Sequence, residues 1–129
     1  MGFFPLIEAT IKYSGKFKEQ PSLVGSRLGL QPDMDIDFEW DDGKANQNLK
    51  KHGISFETAK TVFLDPLAYI FEDKWHSQEE PREIIIGHNE NSELILVSFT
   101  ERSPNLIRII SARLVTSKER RDYEEYTGF

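Results

Sequence analysis

The chain has no cysteine. That excludes disulfides, a thiol nucleophile and cysteine-ligated zinc. No run approaches the roughly 18 apolar residues of a membrane span. Phe3, Phe4, Leu6 and Ile7 are apolar, but Pro5 and Glu8 interrupt them and no basic segment precedes them. The N-terminus therefore does not read as a secretory signal, and a cytoplasmic location is expected. The glycines form neither G-x-G-x-x-G nor a P-loop, so no nucleotide cofactor is expected. His52, His76 and His88 fall in different parts of the chain, and no His-x-x-x-His or His-Glu-x-x-His occurs. A metal site is not expected on that spacing. Repeats and low-complexity tracts are also missing.

What remains is a folded domain of ordinary composition. The 129 residues are 38% hydrophobic and 12% aromatic, enough for one core. Net charge is −6, an unusual sum for a nucleic-acid enzyme, but the charge is unevenly spread. Between Leu67 and Glu101 the acids Glu72, Asp73, Glu79, Glu80, Glu83, Glu90, Glu93 and Glu101 face only Lys74 and Arg82. Between Arg102 and Arg121 the bases Arg102, Arg108, Arg113, Lys118, Arg120 and Arg121 face Glu119 alone. A local basic patch attracts phosphate even on an acidic protein. Taken one at a time, each of these charges reads equally well as a solvated surface residue.

Residues 1–33 differ from the rest, with Gly2, Gly15, Gly25, Gly29, Pro5, Pro21 and Pro32 breaking any long element. Only Ala9–Tyr13 suggests a short strand. Met34 then begins a more regular pattern, so 1–33 reads as an N-terminal extension, or as upstream sequence from a misassigned start, ahead of a domain at 34–129. Ile36, Phe38 and Trp40 alternate with acids as in a half-buried strand. Asp41 or Asp42 caps a helix to about His52, stopped by Gly53. Ala45, Leu49 and His52 share one face of it; Lys44, Asn48 and Lys51 share the next. Ser55 caps a second helix that buries Phe56, Ala59, Val62 and Phe63 and ends at Asp65-Pro66. Strands are expected at Leu67–Phe71, Arg82–His88, Glu93–Thr100 and Leu106–Arg113. Thr116 and Glu119 have capping-box spacing for a last helix to about Tyr126. Its cations near the N-terminal end oppose the helix dipole but suit phosphate. The class is α+β: two helices on a three- to four-stranded antiparallel sheet, with a C-terminal helix.

The chemistry-bearing residues are cations and one imidazole. Arginine forks at 108 and 113 can hold non-bridging oxygens and stabilise a pentacovalent phosphate. Five residues apart on a strand, they share a face only if a bulge re-aims one of them; otherwise one pairs with a carboxylate such as Glu101 or Glu83. His52 can move a proton near neutral pH, or only pack and cap the helix end. Glu101 can act as a general base or pair with Arg102. Lys44 and Lys51, with Arg82, Arg102, Lys118 and Arg121, can hold backbone phosphates.

Trp40-Asp41, Lys44, Asn48, Lys51-His52-Gly53 and Ser55-Phe56-Glu57, followed by Arg108-Ile-Ile-Ser-Ala-Arg113 and Glu119-Arg120-Arg121 with Tyr123, closely resemble the BrnT toxins. The likeness runs from about Phe38 to Glu125. It implies a RelE-like ribonuclease toxin of a type II toxin–antitoxin pair, cutting RNA without a metal by attack of the RNA's own 2′-hydroxyl. Arg108 and Arg113 would stabilise the phosphorane, and His52 or Glu101 would move protons. The partner would be a BrnA-like ribbon-helix-helix antitoxin, through which alone DNA is contacted. A non-catalytic module that shapes a regulatory complex with such an antitoxin is the alternative.

Overall fold

The computed structural model describes residues 22–23, 28, 35–74 and 80–128. The strand expected at Ala9–Tyr13, and His76, lie outside them. The strands are β1 (Ser22–Leu23), β2 (Asp37–Glu39), β3 (Tyr69–Glu72), β4 (Glu83–His88), β5 (Leu94–Ser103) and β6 (Leu106–Leu114). The helices are α1 (Asp42–His52), α2 (Phe56–Ala59) continued by a 3-10 turn over Lys60–Leu64, and α3 (Ser117–Thr127). The strands form one sheet in the order β1-β3-β4-β5-β6-β2. Every pairing is antiparallel except β2 with β6, which is parallel. The α+β expectation is met, with a wider sheet. Within residues 1–33, Ser22–Leu23 pairs with Tyr69–Ile70, and Leu28 packs on the core.

Each face of the sheet has its own cluster. Ile70, Ile85, Ile95, Val97, Phe99, Ile107, Ile109 and Ala112 pack with Ile54, Phe56, Ala59, Val62 and Phe63. On the other face Phe71, Ile84, Ile86, Leu94 and Leu96 pack with Tyr123 of α3. This is why the central strands lack clean alternation: both faces are covered. Gly87 is required by the first packing, since a Cβ there would lie 2.6 Å from the Ala68 Cβ. Asp65 secures the same junction, its carboxylate accepting from the main-chain N–H groups of Leu67 and His88.

Local chemistry sets the helix ends. Asp41 accepts from the Lys44 N–H, and Gly53 closes α1 in the left-handed region at φ 74°. Ser55 caps α2, but only one α-turn follows before the helix tightens to 3-10. There the Thr61 hydroxyl bonds the Thr58 carbonyl and also accepts from Glu90 N–H in the β4–β5 turn.

Of the two neighbouring faces of α1, Ala45 packs against the core and Asn48 reaches the β6 edge. Leu49 is 48% exposed, whereas Asn48 is buried. The Asn48 amide accepts from Ala112 N–H at 3.0 Å and donates to the Ala112 and Ile54 carbonyls at 2.8 and 2.9 Å. β2 pairs with β6 only as far as Arg108, so beyond it the Ala112 peptide would be left at an open edge. Asn48 acts there as a substitute strand peptide. Each group orphaned by its loss would cost about 1–3 kcal/mol.

Tyr123 anchors α3 by donating to the Leu67 carbonyl at 3.2 Å. Burial first, then the Asp65 carboxylate, then Tyr69, raise its pKa from 10.0 to about 12. A raised folded pKa favours the neutral phenol. Its stabilising contribution is therefore complete below pH 10.0 and is lost as pH rises through about 12.

Candidate functional site

Two slips in strand register build the site. Ser98 pairs with Ser111 and Phe99 with Ile109, so Ile110 is an extra residue in β6. Glu101 pairs with Ile107 and Ser103 with Leu106, so Arg102 is an extra residue in β5. A bulge of this kind bends the strand and re-aims side chains. The first slip decides the arginine question. Arg108 lies opposite Thr100 and Arg113 opposite Leu96, four residues apart along β5, so both arginines stand on the face that α3 packs against.

They are nonetheless in different surroundings. Arg113 forms a two-pronged pair with the buried Glu119 carboxylate at 2.9 and 3.0 Å. Glu119 also accepts from Thr116 N–H at 2.8 Å, completing the capping box. Arg113, Glu119 and Thr116 thus lock the start of α3 onto the end of β6. A carboxylate already occupies the first turn of α3, and Lys118 pairs with Asp122 at 2.9 Å. The cations of this turn are arranged around acids within the helix, while Arg121 is exposed.

Arg108 sits in a more open place. Its guanidinium donates to Glu39 Oε2 at 3.1 Å, and Arg102 donates to the same oxygen at 3.3 Å. All three side chains are between a third and a half exposed. Glu39 and Arg108 are direct cross-strand neighbours in the parallel β2–β6 ladder. Arg82, at the entry to β4, is in step with Ile84 and Ile86 and so belongs to the same face. Its neighbour Pro81 accepts from the Thr100 hydroxyl. Thr100, Ser98 and Ser111 lie on the same face; Ser98 and Thr100 are buried, and the Ser98 hydroxyl has no hydrogen-bond partner among the described residues. The geometry brings Arg102 and Arg108 together on Glu39, with Arg82 on the same face two strands from Arg108; guanidinium forks that converge in this way suit an oxyanion.

The other expected residues are elsewhere. Glu101 pairs with Ile107, and strand alternation aims it at the face of Phe99 and Ile107, away from Arg108. His52 is half-buried at the last residue of α1. Lys44 and Lys51 are exposed one turn before and after Asn48, which ties α1 to the β6 edge. Glu39 was missed in the sequence. Its place at the end of an alternating strand marked it only as a solvent-facing acid. Among the described residues no group of three or more His, Asp or Glu side chains is arranged to hold a metal, and no helix is long and apolar enough to cross a membrane.

Helices on both faces of a largely antiparallel sheet, with arginines from adjacent strands on one face, define a small domain of RelE-like architecture. A family model described as the ribonuclease toxin BrnT of type II toxin–antitoxin systems matches residues 40–119, and the chain belongs to that family of ribonuclease toxins. The crystal structure of the Brucella abortus ribonuclease toxin BrnT is similar in fold, with a TM-score of 0.50 and 23% identity over 64% of this chain and 99% of that one. No curated protein sequence matches the chain.

Proposed function

We propose that this toxin is a metal-independent endoribonuclease whose working surface is the arginine strip at Arg82, Arg102 and Arg108. In the reaction, the RNA's 2′-hydroxyl loses its proton and attacks the adjacent phosphorus. The bond to the 5′-oxygen of the next nucleotide breaks and that oxygen takes up a proton, leaving a 2′,3′-cyclic phosphate and a 5′-hydroxyl. Negative charge builds on the non-bridging oxygens, where fixed guanidinium forks have their largest effect. The observation that carries this reading is the convergence of Arg102 and Arg108 on one carboxylate oxygen, at 3.3 and 3.1 Å. Two guanidiniums that share one anionic oxygen are arranged to share a phosphate.

In this scheme Lys44, Lys51, Lys118 and Arg121 hold flanking backbone phosphates. The reading rests on stabilisation of charge. His52 and Glu101 are the proton-transfer candidates; Glu101 points to the opposite face of β5 from Arg108, and His52 ends α1. Arg113 acts by holding α3. The toxin unit is proposed to span 34–129, with β1 as an added edge strand. The cognate partner is proposed to be a BrnA-like ribbon-helix-helix antitoxin that masks the toxin and makes the DNA contacts of the complex.

The test is incubation of the purified chain with single-stranded RNA in excess chelator, followed by analysis of the product ends. Cyclic phosphate ends, with cleavage unaffected by chelator, are expected. A strict requirement for magnesium, or 3′-hydroxyl ends, would reject the mechanism. A chain that binds its antitoxin but leaves RNA intact would be a non-catalytic module.

A further inference from the structure

We propose that Glu39 is a built-in competitor for RNA phosphate: it keeps Arg102 and Arg108 aimed at one point and yields that point to a phosphodiester. This inference rests on the arginine strip being the RNA site.

Three observations carry it. Glu39 Oε2 takes hydrogen bonds from both guanidiniums, so the carboxylate occupies the donors that a non-bridging phosphate oxygen would use. Its position is set by the main chain, because Glu39 and Arg108 are register partners in the parallel β2–β6 ladder. Arg102 reaches the same oxygen from the extra residue of β5, two strands away from β2. Two separately built arms therefore meet on one acid. The acid is also displaceable. Its side chain is 37% exposed, and ion pairs this open to water are weak and exchange readily.

Two opposing effects follow. Pairing restrains two long side chains that would otherwise sample many rotamers, which prepares the site. The carboxylate also places a negative charge where RNA must bring its own, which lowers affinity. A phosphate offers more oxygen acceptors to the two forks than the single oxygen that Glu39 supplies, so the exchange favours RNA once its backbone is steered in. The Glu39 oxygen that faces the arginines is already engaged by both cations, which weakens it as a proton acceptor.

Glu39→Gln tests the proposal, because the amide keeps the size and one acceptor while removing the charge and leaving the strand ladder intact. The probe is a short single-stranded RNA with 2′-O-methyl groups throughout, which cannot be cut, titrated by fluorescence anisotropy at several salt concentrations. Glu39→Gln should bind about tenfold more tightly at low salt, the combined scale of two exposed ion pairs. The log–log salt slope should steepen by about one. On cleavable RNA, KM should fall, and the split between KM and kcat separates a group that competes for phosphate from one that moves a proton. Glu39→Ser removes both the charge and the acceptor that aims the two arginines, so it should gain less than Glu39→Gln. In an Arg102→Gln/Arg108→Gln background Glu39→Gln should give no gain, because no guanidinium remains to be released.

Unchanged or weaker RNA binding by both Glu39 variants would overturn the proposal. So would a hundredfold fall in kcat with a lost limb of the pH profile, which would make Glu39 the base. If Arg108→Ala abolishes cleavage while the Glu39 variants show no gain, only the competitor role falls. If the wild-type chain neither binds nor cuts RNA, the reading of the site falls with it.

Discussion

Arg108→Ala is expected to lower RNA cleavage by about two to three orders of magnitude, the scale of losing one fixed donor to a developing oxyanion. The fold should hardly notice. Arg108 is about one-third exposed and its partner Glu39 is equally open, so the stability cost should stay within about 1 kcal/mol. The loss should appear in kcat more than in KM if the guanidinium binds the pentacovalent phosphate more tightly than the ground state. Arg108→Lys should recover only part of the rate, because an ammonium cannot offer the planar fork. Single-turnover kinetics on a labelled RNA, with a thermal melt of each variant, measure both quantities. A normal rate per folded molecule would remove Arg108 from the reaction.

Arg113→Ala should do the reverse. Its guanidinium is the counter-charge of Glu119, which is 2% exposed and also closes the capping box of α3. Without it a buried carboxylate loses its partner, at a cost of about 3–5 kcal/mol. The melting temperature should fall sharply and α3 should loosen first, with Tyr123 losing its bond to Leu67. Glu119→Gln should be milder, since an amide keeps an acceptor for Thr116 N–H and leaves no lone buried acid. Cleavage per folded molecule in Arg113→Ala should remain within about tenfold of normal, far from the Arg108 effect. A stable but inactive Arg113→Ala would contradict this division.

The contrast shows what could be read from the chain. The motif arginines stand out as a pair, and the argument that they need a bulge to share a face follows from strand alternation alone. Their different roles do not follow, because each role depends on a partner from another element. Glu119 reads as a helix cap, and nothing local says that its carboxylate turns toward Arg113. Glu39 reads as the polar half of an alternating strand, because the parallel pairing of β2 with β6 is a tertiary fact. Helix ends were clear from Asp41, Gly53, Ser55 and Thr116, whose side chains or backbone freedom act locally. The role of Asn48 is not local either: spacing puts it on a face with Lys44 and Lys51, and only the open peptide at Ala112 explains why an amide is buried there. The family likeness supplied what periodicity could not, namely the class of reaction.

The most direct test of the central claim is where RNA lies on the protein. The uncut 2′-O-methyl RNA should be titrated into isotope-labelled protein and followed by backbone amide and arginine side-chain NMR shifts. The largest changes are predicted at Glu39, Arg82, Ser98, Thr100, Arg102, Arg108 and Ser111, with the guanidinium signals of Arg102 and Arg108 moving together and that of Arg113 nearly still. Changes confined to α1, around Lys44, Lys51 and His52, with Arg102 and Arg108 unmoved, would place the reacting phosphate away from the arginines and contradict the account.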